Sequence, residues 1–124
     1  RPWLGAFLAG IDRAFANSEY EILLKCTEGN AMRARRELST LDGRHAEGLI
    51  WCDAENFPSE LRMPVVCLGF TAPGAYSVTM ENAEDAPTFE TGVLVGRMML
   101  KIVAGKPLPG REIRVMRPLE QTAD

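Results

Sequence analysis

Hydrophobic periodicity defines the first element. Leu4, Phe7, Leu8, Ile11, Ala14 and Phe15 recur at steps of three and four, the period of a helix that buries one face. Asn17 and Ser18 break that pattern, and residues 20–26 follow as a β-prone apolar run one strand long. Residues 27–30 carry turn chemistry, with Asn30 placed to cap the next helix. Ala31–Leu41 then bears Met32, Ala34, Leu38 and Leu41 among charged positions, a thinner helical stripe that Asp42-Gly43-Arg44 closes.

The second half of the chain is richer in apolar runs. Residues 48–52 read as a second buried strand with Asp53 at its end. Residues 56–61 read as a loop entering a short helix, Pro58 suiting the first turn. Residues 64–70 are a third strand, nearly all apolar, and a turn at 71–74 leads to a fourth at 76–80. The longest helix runs from about Thr88 to Ala104 with Phe89, Gly92, Val93, Gly96, Met99, Leu100 and Val103 on one face. Gly105, Pro107, Pro109 and Gly110 stop it. Residues 112–116 alternate in the manner of an edge strand, and a polar tail follows from Pro118. Strands with continuous apolar runs, interleaved with helices, predict an α/β fold: a Rossmann-like parallel sheet with flanking helices. The expected organisation is one α/β lobe over residues 1–117 and a C-terminal tail over 118–124.

Composition narrows the class further. The chain has 124 residues, 46% of them hydrophobic and 25% charged, which excludes a disordered segment and suits one domain. Fourteen basic against seventeen acidic side chains leave a net charge of −3, against the basic excess of an autonomous nucleic-acid binder. No apolar run approaches the ~20 residues a membrane span needs, and the richest stretch, 92–104, is interrupted by Arg97 and Lys101. The first five residues lack the layout of a signal peptide. Three cysteines without Cys-x-x-Cys spacing favour a reducing compartment, so a cytoplasmic location and no membrane partner are expected.

Residue types that carry chemistry are sparse. Gly92 and Gly96 stand four apart inside a helix, a spacing for close packing of that helix on the sheet rather than a phosphate loop. His45, the sole histidine, lies in a polar loop without a nucleophile elbow anywhere in the chain. Cys26, Cys52 and Cys67 each fall in an expected strand and read as small buried hydrophobes. Arg33, Arg35 and Arg36 alternate with Glu28 and Glu37 to form a mixed-sign solvated face. No catalytic residue, metal ligand set or cofactor is assigned. In parallel α/β sheets, ligands bind outside the carboxyl ends of the strands. That rule selects Thr27 and Glu28, then Asp53, then Phe70 and Thr71, and finally Glu81 and Asn82. Rings beside hydrogen-bonding groups suit a sugar-like ligand.

Several segments, taken in order, resemble the sensor core of lactose-repressor (LacI/GalR) type transcriptional regulators, relatives of periplasmic sugar-binding proteins. Leu4-Gly5-Ala6-Phe7-Leu8-Ala9-Gly10-Ile11-Asp12 looks like the first helix of that core. Glu47-Gly48-Leu49-Ile50 is similar to its "D-G-[LI]-I" strand, with Glu for Asp, and Met63-Pro64-Val65-Val66 to the "x-P-V-V" strand. Residues 76–82 resemble the strand ending near "V-x-x-D-N", with Glu81 for Asp, and residues 91–100 with Gly105-Lys106-Pro107 resemble the closing helix and its exit. A full core has two lobes and about twice this length, so the resemblance covers one lobe of a periplasmic-binding-protein-like fold.

The resemblance implies an effector-binding and dimerisation domain that senses a sugar- or nucleoside-like small molecule. Trp3, Asp53, Phe70, Glu81 and Asn82 would be the ligand-binding residues. It further implies a homodimer, and contact with DNA only through a helix-turn-helix that these 124 residues do not contain. Two other readings stand beside it. One is a non-catalytic α/β interaction module, which an exposed patch at Met98, Met99 and Ile102 would support. The other is a small flavodoxin-like nucleotide-binding enzyme, whose phosphate loop would have to be residues 27–30.

Overall fold

The computed structural model describes residues 1–41, 46–58 and 61–116. Its elements are α1 (Leu4–Phe15), α2 (Ala31–Leu41), β1 (Leu49–Trp51), a 3-10 turn (Ala54–Asn56), β2 (Val65–Leu68), β3 (Tyr76–Met80), α3 (Phe89–Val103) and β4 (Glu112–Val115). The four strands form one sheet in the order β1-β2-β3-β4, every neighbouring pair parallel, with Trp51 opposite Cys67, Leu68 opposite Val78 and Met80 opposite Val115. The fold is α/β, a Rossmann-like parallel sheet flanked by helices. The expected tail from residue 118, His45 and the Asp42-Gly43-Arg44 stop lie outside the described residues.

Each face of the sheet carries its own core. On one, Phe7 and Ile11 of α1 and Val95, Met98 and Met99 of α3 meet Val66, Leu68 and Val78. On the other, Ala34 of α2 covers Trp51, Val65 and Cys67, with Ala75, Leu38, Phe57 and Phe70 around them. Strand β2 is buried at all four positions, which is why its sequence is an unbroken apolar run. β4 alternates exposed and half-buried positions because it is the edge, as its alternating sequence implies.

Local signals explain the helix starts. Asn30 Oδ1 accepts from the Arg33 N–H at 3.0 Å, capping α2. Thr88 and Thr91 form a reciprocal capping box at α3: each side chain accepts from the other's backbone N–H, at 3.2 and 3.0 Å. The turn expected between the third and fourth strands is present as the connection from β2 to β3. β3 reaches β4 across α3, and β2 reaches β3 through residues 69–75 alone; between β1 and β2 the described residues hold the 3-10 turn. Gly69 and Gly74, at φ 85° and 78°, supply the left-handed conformations of that short return. The helix expected to start near Pro58 falls on residues 59 and 60, outside the described residues; ahead of it a 3-10 turn ends at Asn56, with Phe57 extended.

Two sequence expectations are corrected by packing. Residues 20–26 do not pair as a strand; Glu21 to Cys26 are all exposed, so Cys26 is not a buried hydrophobe. Gly92 and Gly96 do serve close packing, but against α1 rather than the sheet. A Cβ on Gly92 would collide with the Phe7 carbonyl and crowd Gly10, and one on Gly96 would press on Ala14. Gly10 mirrors them, its missing Cβ leaving room for the Phe89 carbonyl. Three glycines therefore let the backbones of α1 and α3 touch.

Candidate site at the carboxyl ends of the strands

Parallel strands deliver the chain to one end of the sheet, and α1 begins there. Trp3, the residue before α1, lines a hollow of about 260 Å³ together with Cys52 beyond β1, Leu68 at the end of β2, Met80 at the end of β3, and residues 83–87. Trp3 packs edge-on against Phe7, centroids 5.7 Å apart, which holds the indole at the rim of the core. Glu84 and Asp85 are the acidic residues among those that line the hollow. Their turn is closed by the Asp85 Oδ2, which accepts from the Asn82 N–H at 3.1 Å.

The five residues selected from sequence do not converge on one cavity. Trp3 lines the hollow. Glu81 and Asn82 occupy the exposed turn that leads into its wall, and the Glu81 N–H donates to the Val115 carbonyl at 2.9 Å. Phe70 belongs to the opposite core, packed edge-on against Phe57 at 5.8 Å between centroids. Asp53 is a structural joint: its Oδ2 accepts from Thr27 Oγ1 and from Asn56 Nδ2, both at 2.8 Å. Its carbonyl accepts from Trp51 Nε1 at 2.6 Å. The Asn56 and Thr27 hydrogen bonds hold the Asp53 carboxyl below its ordinary range.

Sequence reading missed the role of Asn56, although Asp-x-x-Asn spacing after a strand is a recognisable side-chain turn. It also missed Met80 as a floor for the hollow. No local signal marks Met80, since only the parallel register sets the ends of β1, β2 and β3 side by side. Burial pushes the Cys52 thiol up to about 11, and that of Cys67 likewise, so both are protonated and inert near neutrality.

The other chemical features are engaged locally. Arg33 pairs with Glu28 at 2.7 Å and Lys25 with Glu37 at 3.3 Å, making the basic cluster part of a mixed surface. In the 27–30 loop, Thr27 is committed to Asp53 and Asn30 to the cap of α2. Met98 and Met99 are buried in the core and Ile102 is half-buried against it, so they form no exposed patch. Among the described residues, no group of three or more His, Cys, Asp or Glu side chains is placed to hold a metal, and no helix is long and apolar enough to cross a membrane. Comparison with protein-family models, curated proteins and solved structures finds no match to this chain.

Proposed function

We propose that the chain is an effector-binding and dimerisation lobe of a LacI-type transcriptional regulator, working in the cytoplasm and sensing a sugar- or nucleoside-like small molecule. The observation that carries this reading is the hollow at the carboxyl ends of β1, β2 and β3, which Trp3, Glu84 and Asp85 all line. Rings stack on the C–H faces of a sugar and carboxylates accept from its hydroxyls. In this reading Trp3 supplies the stacking surface, Glu84 and Asp85 the acceptors, and Glu81 and Asn82 the adjoining rim. Asp53 acts at one remove by fixing the chain beyond β1. No residue is assigned a catalytic step, and DNA is reached only through a helix-turn-helix outside these residues.

A melting-temperature screen against monosaccharides, nucleosides and nucleotides, with light scattering for mass, tests the proposal. Ligand at a hundredfold excess over Kd stabilises by about 2.7 kcal/mol, a rise of roughly 10 °C for a domain of this size. Trp3→Ala and Glu84→Gln should each diminish the response. A flat response to every sugar and nucleoside refutes sensing, and a monomer at all concentrations refutes dimerisation.

A further inference from the structure

A second cavity, about 540 Å³, lies between β1 and residues 19–24 and shares only Cys52 with the hollow that Trp3 lines. Its volume is that of a small-molecule site. The helices give it an apolar floor: Leu8 and Phe15 of α1, and Met99 and Val103 of α3. Ile22, Leu23 and Leu24 line it as well and are 38%, 52% and 51% exposed, three consecutive apolar residues left facing water. Covering them removes apolar surface from water, so an occupant with an apolar body is favoured.

Charge at this cavity has one sign and gathers at one end. Among the described residues, its charged lining is Glu19, Glu21 and Glu47, with no Lys, Arg or His. Ser18 is bonded back to the end of α1, and Thr27 to Asp53 beyond the carboxyl end of β1, so residues 19–27 run the same way as β1. Glu19 and Glu21 open that run and Glu47 precedes β1, which puts all three at the amino end of the strands. The last residues of α1 and α3, Phe15 and Val103, line the cavity too, and helix carboxyl ends favour a positive charge. Arg13 and Lys101, the basic residues of those last turns, are exposed and line no part of it. Lys25 is paired with Glu37 at 3.3 Å. A second copy seated here about a twofold axis would set these carboxylates against their own counterparts. A cation meets them favourably.

We propose that this cavity binds a small amphipathic organic cation, its apolar body along α1 and α3 and its ammonium group among Glu19, Glu21 and Glu47. The inference is independent of sugar sensing at the hollow, because it uses another cavity, another ligand class and other residues. The test titrates the 124-residue chain with decylammonium, decanol and decanoate, all below their micellar concentrations, by calorimetry and amide chemical shifts. Decylammonium should bind once per chain, raise Tm, and shift the amides of Leu23, Leu24 and Ile50. Decanoate should bind at least about tenfold more weakly, and added salt should narrow that gap. The double variant Glu21→Gln, Glu47→Gln changes two exposed positions and should bring decylammonium down to the affinity of decanol. Leu23→Ser, also at an exposed position, should weaken all three ligands. Equal affinity for decanoate and decylammonium overturns the proposal, as does a double variant that keeps the preference. So does a decylammonium that fails to bind, lowers Tm, or shifts only residues around Trp3. A dimer that already protects residues 21–24 overturns it as well, since a second copy then covers the cavity.

Discussion

Gly92→Ala tests the most unusual contact in the fold. In an exposed helix interior, exchanging Gly for Ala stabilises by up to about 1 kcal/mol, because Gly has the greater backbone entropy to lose. At position 92 the new methyl meets the Phe7 carbonyl oxygen, the Phe7 carbonyl carbon and Gly10 Cα. All three are backbone atoms, so no rotamer change relieves the clash and α1 must move away from α3. That movement disturbs Phe7, only 2% exposed, and Ile11 in the core beneath. Overpacking of this kind costs about 1–3 kcal/mol, and the lost contacts of a displaced helix weigh on the same side, so the net expectation is destabilisation by about 2 kcal/mol. Gly5→Ala is the matched comparison: it lies in α1, and a Cβ there meets nothing within 4 Å. It should be neutral or stabilise by about 0.5 kcal/mol. Urea unfolding followed by circular dichroism, with Tm alongside, reads both. The two variants should move in opposite directions, Gly92→Ala lowering Tm by roughly 8 °C. If Gly92→Ala stabilises as Gly5→Ala does, the backbones of α1 and α3 are not in contact and the helical layer is wrongly described.

Three further outcomes follow from the same structure. Phe7→Ala should cost about 3–5 kcal/mol in urea unfolding, because it empties a fully buried site and removes the edge contact that seats Trp3; a loss under 1 kcal/mol would place Phe7 outside the core. Since the folded state holds the Asp53 carboxyl below its unfolded value of 3.8, its contribution to stability is complete above that pH and declines as pH falls through the folded value. Asp53→Asn should therefore flatten the stability–pH curve below about pH 4, and an unchanged acid limb would show that the Asn56 and Thr27 bonds do not persist in solution. Thiol titration with an aromatic disulfide at pH 8 should find one fast cysteine, Cys26, with half-buried Cys52 slower and buried Cys67 reacting only on unfolding; a fast Cys67 would contradict its burial.

Much of the fold was legible because it depends on local periodicity. The apolar stripe of α1, the unbroken run of β2, the alternation of β4 and the caps Asn30 and Thr88 all act within a few residues, so the linear pattern records them directly. Residues 20–26 were misread for a corresponding reason. Their composition is that of a strand, but a strand exists only where a neighbour supplies hydrogen bonds, and among the described residues no backbone bonds to this run. The glycine spacing in α3 announced close packing without saying against what. Whether a small-residue face meets a sheet or a helix depends on how the layers stack, and that settled on α1.

The candidate site divides along the same line. Chain order alone tells which residues follow each strand, and a parallel sheet gathers those residues at one end. Which of them share a cavity was decided by tertiary structure alone. β2 ends at Leu68 and the left-handed Gly69, at φ 85°, redirects the chain, so Phe70 joined the far core with Val65 and Cys67 while Trp3, brought in by α1, met Leu68 and Met80 at the hollow. Asp53 was committed by its neighbours, Thr27 across 26 residues of sequence and Asn56 across three, before any ligand could claim it. Hydrophobic patterning acts along the chain and specifies elements; register and layer packing act across it and specify which elements' ends meet.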